Sequence, residues 1–164
     1  MEPTIHALDP TAATFWLRIG AAALCGGALG LERQLRGKPA GIRTSILICI
    51  GTMLFVTLGA SYASEHVDPT RVLGQVVTGI GFLGAGVILT REGLVVGITS
   101  ASVIWMLAAI GAAIGMGFVL PAAAIVGVTL LILLGVERLE ATFRSLRRGV
   151  HAKFAPGSTS PNEE

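Results

Sequence analysis

The sequence predicts an all-α fold: an integral membrane bundle of five transmembrane helices, with the N-terminus outside and the C-terminus cytoplasmic. Three observations predict it. Apolar residues make up 52% of the 164-residue chain and charged residues only 13%, about half the roughly 25% typical of a soluble domain. So few charges cannot coat a water-facing surface, whereas side chains that face lipid need none. Uncharged stretches recur at the roughly 20-residue length that carries a helix across a bilayer. Lysine and arginine collect in alternate connections, the pattern that orients membrane helices. The mean hydropathy of +0.76 agrees, and the length suits one bundle without a second folded domain.

The N-terminal segment 1–13, MEPTIHALDPTAA, carries no basic stretch of a signal peptide and is expected on the periplasmic side. The first span, about 14–31, is the least apolar. Arg18 must snorkel outward, and Phe15 and Trp16 sit where an interfacial aromatic belt belongs. The connection 32–43 holds Arg33, Arg36, Lys38 and Arg43 against Glu32 and is therefore cytoplasmic. The second span covers about 44–63. The loop that follows, with Glu65 and Asp68 against Arg71, suits the outside. Residues 72–90 make a third span free of charge, and Arg91-Glu92 returns to the inside.

From Gly93 to Val136 no residue is charged, too long for one helix. Two spans, about 94–114 and 118–136, fold at Gly115-Met116-Gly117, with Pro121 beginning the return. Residues 137–154 form a basic amphipathic helix, with Leu139, Phe143 and Leu146 at helical spacing. Its arginines belong near anionic headgroups rather than on nucleic acid. The Pro/Ser-rich end, 155–164, is expected to be disordered.

Helices in lipid associate where small residues let backbones approach. Among 22 glycines, pairs four apart recur at Gly26/Gly30, Gly93/Gly97 and Gly111/Gly115, and Gly81 pairs with Ala85. With Gly79, Gly84 and Gly86 they form the expected helix-packing set, either within one chain or across a homodimer. Gly79, Gly81 and Gly84 also match G-x-G-x-x-G. A dinucleotide site would need a preceding strand and an acid about 20 residues on, and the sequence supplies neither. Cys25 and Cys49 lie in apolar stretches and read as buried free thiols.

No ionisable residue lies deep in spans two to five, no nucleophile has a base nearby, and no His/Cys/Asp cluster has metal-ligand spacing. An enzyme is therefore not expected, nor a cofactor. Polar residues gather instead at the helix ends. Glu32, Arg33, Arg43 and Thr44 crowd the Gly37-Lys38-Pro39 turn. Asp68, Arg71, Gln75 and Thr78 open the third span, where Asp68 is placed to cap it. Thr99, Ser100 and Ser102 with Trp105 lie in the fourth. Asp68 with Glu65 is the candidate cation site, with Mg2+ as its ligand, although Arg71 beside it opposes a cation.

The runs LERQLRGKPAGIRT, DPTRVLGQVVTGIGFLGAGVIL and GITSASVIWMLAAIGAAIGMG closely resemble the MgtC/SapB family of bacterial membrane proteins, in order and spacing, from about Leu24 to Gly117. The resemblance implies a multi-pass protein of the bacterial inner membrane, linked to growth in low magnesium and, in pathogens, to survival inside macrophages. It also implies restraint of the F-type ATP synthase and effects on phosphate and membrane potential. The family's characteristic polar residues fall on Glu32, Arg33, Arg43, Thr44, Asp68, Arg71, Thr99 and Trp105. Longer members carry an ACT-like domain after the last helix; the short tail here points to a SapB-like member. Two functions follow as expectations: a non-enzymatic regulator that binds another membrane protein such as the ATP synthase, or a transporter or channel for Mg2+ or another small ion.

Overall fold

The structure, a computed structural model, describes residues 8–61, 70–91 and 94–142. Five helices make up the fold: α1 Ala13–Leu35, α2 Ile42–Ser61, α3 Thr70–Ala85, α4 Ile98–Gly115 and α5 Val119–Thr142. Four are long and apolar enough to cross a membrane, and α3 is a shorter apolar helix. The chain divides into two compact units, Met1–Leu130 and Leu131–Glu164; of the second, the final turns of α5 are described.

The third and fourth spans differ from expectation. The helix foreseen over 72–90 stops at Ala85, and the one foreseen from 94 starts at Ile98. Between them a two-stranded antiparallel hairpin forms, β1 Leu89–Arg91 and β2 Leu94–Val96, with Leu89 opposite Val96 and Arg91 opposite Leu94. The cause is local. Val87, Ile88, Val95 and Val96 are β-branched and prefer extended backbone, and the glycines beside them weaken the helix. Gly97 closes the hairpin at φ 97°, where a Cβ would strike the Val87 carbonyl.

Two helix ends share one device. At the end of α1, Gly37 takes φ 61° and donates to the Gln34 carbonyl, while Lys38 donates to Arg33. At the end of α4, Gly117 at φ 92° donates to Ile114 and Phe118 donates to Ala113. These paired bonds past a left-handed glycine are the Schellman termination. The first is followed by Pro39, which cannot extend a helix. The Gln34 amide oxygen then accepts from the Ile42 N–H (3.3 Å) at the start of α2.

The bundle is organised about α2, which packs against both α1 and α4, while α3 lies on α4. Glycine pairs make the contacts. Cβ atoms on Gly26 and Gly30 of α1 would sit 2.7 Å from the Ser45 carbonyl and from Ile42 Cα of α2. On α4, a Cβ at Gly111 would strike the Cys49 carbonyl, and one at Gly115 would lie 2.7 Å from that of Met53. Leu29, Ile48, Met53, Ile104, Leu107, Ile110 and Ile114 fill the core around these crossings. Cys25 and Cys49 are both free and buried. At the end of the bundle away from the basic turn, Arg18 does more than snorkel. Its Nη1 donates to the Gly115 carbonyl (3.2 Å), which also accepts from Thr57 Oγ1 (3.3 Å).

Candidate functional site

The basic end of the bundle, where α1 and α3 finish and α2 and α4 begin, carries a buried charge cluster. A stripe on α1 (Ala22, Cys25, Gly26, Leu29, Gly30) turns inward, and its period brings Glu32 and Arg33 to the same buried side in the last turn. Arg33 is 4% and Glu32 8% exposed. Arg33 Nη1 lies 3.5 Å from Glu32 Oε2, and its Nη2 donates to Ser100 Oγ at 3.3 Å. Arg36, one turn after Glu32, places Nε 2.7 Å from Glu32 Oε1. That approach is a charge contact rather than an aligned hydrogen bond: Glu32 Oε1 and Arg33 Nε are buried without a hydrogen-bond partner.

Arg33 and Arg36 both face Glu32 at the C-terminal end of α1, where the helix dipole favours positive charge. Burying such charges is costly unless they are paired, so the arrangement fixes α1 to the first turns of α4. It also leaves Glu32 flanked by two guanidinium groups.

The other polar residues behave differently. Arg43 and Thr44 at the start of α2 are exposed, as are Thr99 and Trp105 on α4. Ser100, one residue beyond Thr99, is the buried partner of Arg33; a helix turns about 100° per residue, enough to separate the two. Ser102 donates back to the Ile98 carbonyl of its own helix. Glu65 and Asp68 lie outside the described residues, so the candidate cation site does too. Among the described residues no three His, Cys, Asp or Glu side chains gather as a metal site.

The face of α3 is the second feature. Its aliphatic side, Leu73, Val76, Val77 and Ile80, borders an apolar groove of about 340 Å³ shared with Trp105 and Ala109 of α4. The opposite side is exposed and holds Arg71, Gly74, Gln75, Thr78, Gly79, Gly81 and Phe82. Nothing lies within 4 Å of a Cβ built on Gly74, Gly79 or Gly81. Gly84 instead faces Ala101 of α4 at 3.8 Å, and Gly86 meets only carbonyls of its own turn. Phe82 is 82% exposed. A lone membrane helix keeps its polar and small residues toward protein and its aliphatic residues toward lipid. In α3 this order is inverted.

Comparison with known proteins places the chain in a family. A family model described as the MgtC family matches residues 19–142. "Putative magnesium transporter YhiD" of Escherichia coli (strain K12) is 44% identical over 149 residues, covering 87% of this chain and 68% of its own. "Protein MgtC" of Brucella abortus (strain 2308) is 41% identical over 135 residues, 80% of this chain and 56% of that protein. "Protein SapB" of Bacillus subtilis (strain 168) is 38% identical over 138 residues, 79% and 58% of the two chains. The chain thus spans about two thirds of the first of these and little more than half of the other two. No solved structure matches it.

Proposed function

This chain belongs to the MgtC family of membrane proteins, and from that premise we propose that it is a non-enzymatic regulator that binds another integral membrane protein through the outward face of α3. Its place is the bacterial inner membrane, with the N-terminus outside, the C-terminus in the cytoplasm and the basic end of the bundle facing the cytoplasm. Its role is adaptation to low magnesium and the balance of ions and membrane energy, and the F-type ATP synthase is the first partner to test.

The observation that carries the proposal is the inverted face of α3. Gly26, Gly30, Gly111 and Gly115 each receive the backbone or a side chain of a neighbouring helix, whereas Gly74, Gly79 and Gly81 receive nothing. Gln75 and Thr78 share that face, and an amide facing hydrocarbon is expensive until a protein group pairs with it. A partner helix set on Gly74, Thr78 and Gly81 supplies both close packing and a hydrogen-bond partner.

The test is Gly81→Leu in bacteria lacking their own copy, reading growth at low magnesium alongside protein level. Loss of growth at unchanged protein level is expected. Normal growth, or loss only in step with loss of protein, overturns the proposal. Gly84→Leu is not equivalent, because Gly84 faces Ala101 within the chain.

A second reading, transport of Mg2+, is favoured by the name of the E. coli relative, "Putative magnesium transporter YhiD". Against it, Glu32, the carboxylate placed to receive a cation at the basic end, is already held between Arg33 and Arg36. Protein-dependent Mg2+ entry into liposomes, lost in Asp68→Asn, would establish transport instead.

A further inference from the structure

The hairpin between α3 and α4 has no core of its own. Leu89 is 63% exposed, Val95 55%, Val96 45%, Ile88 40% and Leu94 37%. These residues lie on both faces: the pairing puts Leu89, Val96 and Leu94 on one side and Val95, with Ile88, on the other. A two-stranded hairpin is marginal in water, and one bare on both faces is more so. A flat protein surface could cover only one of the two.

Polarity rises along β1, from Val87, Ile88 and Leu89 beside the helix to Thr90 and Arg91, while β2 stays apolar from Leu94, opposite Arg91, to Val96. Such a gradient suits a segment that passes from apolar surroundings into water. The helices it joins are short: α3 has 16 residues and α4 has 18, about 24 and 27 Å against a hydrocarbon core of about 30 Å. Gly84 of α3 lies beside Ala101 of α4, so the two helices reach the basic end at the same level and the strands continue the crossing.

We propose that the β1–β2 hairpin is seated edge-on in the boundary between acyl chains and headgroups, in the leaflet at the basic end, with lipid as its partner on both faces. Within hydrocarbon its open strand edges would be left without hydrogen-bond partners; in the headgroup layer water and ester carbonyls satisfy them. The exposed Lys38 and Arg43 at this end match anionic headgroups. The hairpin therefore sets the depth of the short helix α3, and with it the level at which Gly74, Thr78 and Gly81 meet a neighbour.

The test is spin labelling of the full chain in vesicles of phosphatidylethanolamine and phosphatidylglycerol. Single cysteines replace Leu89, Val95 and Thr90, with Leu24→Cys on the exposed side of α1 as the lipid reference and Lys38→Cys as the water reference. Oxygen, which partitions into lipid, should relax the labels at Leu89 and Val95 more strongly than a water-soluble nickel chelate does. The oxygen-to-nickel ratio should fall in the order Leu24, then Leu89, then Val95 and its cross-strand partner Thr90, then Lys38. Labels at Leu89 and Val95 matching Lys38 would place the hairpin in water. Labels there shielded from both relaxants would mean that protein covers it. Either result overturns the proposal, and neither depends on the identity of a partner for α3.

Discussion

Nη2 of Arg33, in the last turn of the first membrane helix, donates to Oγ of Ser100 in the first turns of the fourth at 3.3 Å, across 67 residues of sequence. Among the described residues the bond lies where charge is buried, beside side chains only a few per cent exposed. It therefore works as a fixed strut between two spans that also touch directly and share α2 as a neighbour.

Removing the strut from either side should destabilise unequally. Ser100→Ala strips a buried guanidinium of its acceptor and should cost about 1.5–3 kcal/mol. Arg33→Met leaves Glu32 with Arg36 alone and should cost about 3 kcal/mol, the lower end for breaking a buried pair. Denaturation of the purified protein in mild detergent would measure both. Equal stability of Ser100→Ala and the parent would show that the bond contributes nothing.

Glycines should sort by what they face. Gly111→Ala drives a methyl into the Cys49 carbonyl of α2 and should sharply lower the yield of monodisperse protein. Gly79→Ala meets open space and should leave the yield unchanged while adding about 0.5–1 kcal/mol of helix stability. Size-exclusion profiles of tagged variants decide between these outcomes; similar losses in both would mean that position does not matter.

Arg18 and Thr57 share an acceptor, the Gly115 carbonyl. The single Thr57 hydroxyl hydrogen also reaches the Met53 carbonyl (2.8 Å) and can turn to Gly115 when Arg18 is gone, so Arg18→Met and Thr57→Val should each be mild and the double variant more than additive. A coupling of about 0.5–1 kcal/mol is expected from a double-mutant cycle. Strict additivity would mean that the two donors act independently.

Cys49 is fully buried, with Sγ 3.4 Å from the Leu107 carbonyl, and Cys25 is 8% exposed. A maleimide should label neither thiol in the folded protein and both in sodium dodecyl sulfate. Rapid labelling of Cys49 in mild detergent would show that α2 and α4 are not packed as described.

The helices are legible in the sequence because Arg43, Arg71 and Glu137 bound uncharged stretches that only a bilayer explains, although α1 keeps Glu32 and Arg33 in its last turn and α5 runs past Glu137 to Thr142. The hairpin is not, since Leu94, Val95 and Val96 are as apolar as any helix. Only the β-branching of Val95 and Val96 and the flanking Gly93 and Gly97 hint at extended chain. Small-residue spacing marks which faces allow close approach but not what approaches. Gly81 and Gly111 look alike in sequence, yet one faces open space and the other the backbone of α2. The same limit applies to the polar residues. Thr99 and Ser100 are chemically close neighbours, and which of them turns toward Arg33 depends on the rotation of α4 against α1.

Because α2 receives the glycines of both α1 and α4, the molecule can be put together in the order of its synthesis. Once Ser61 has left the ribosome, Gly26 and Gly30 already have their seat on Ser45 and Ile42, so α1 and α2 can leave the insertion machinery as a pair. That pairing shelters the least apolar span, whose Arg33 at that stage has only Glu32 beside it. The seat for α4 on Cys49 and Met53 stays open until some fifty further residues have been made, and Ser100 reaches Arg33 only then. A nascent chain halted just after Ser61 has emerged from the ribosome should already hold its first two helices together, while the charge it has buried still waits for its last partner.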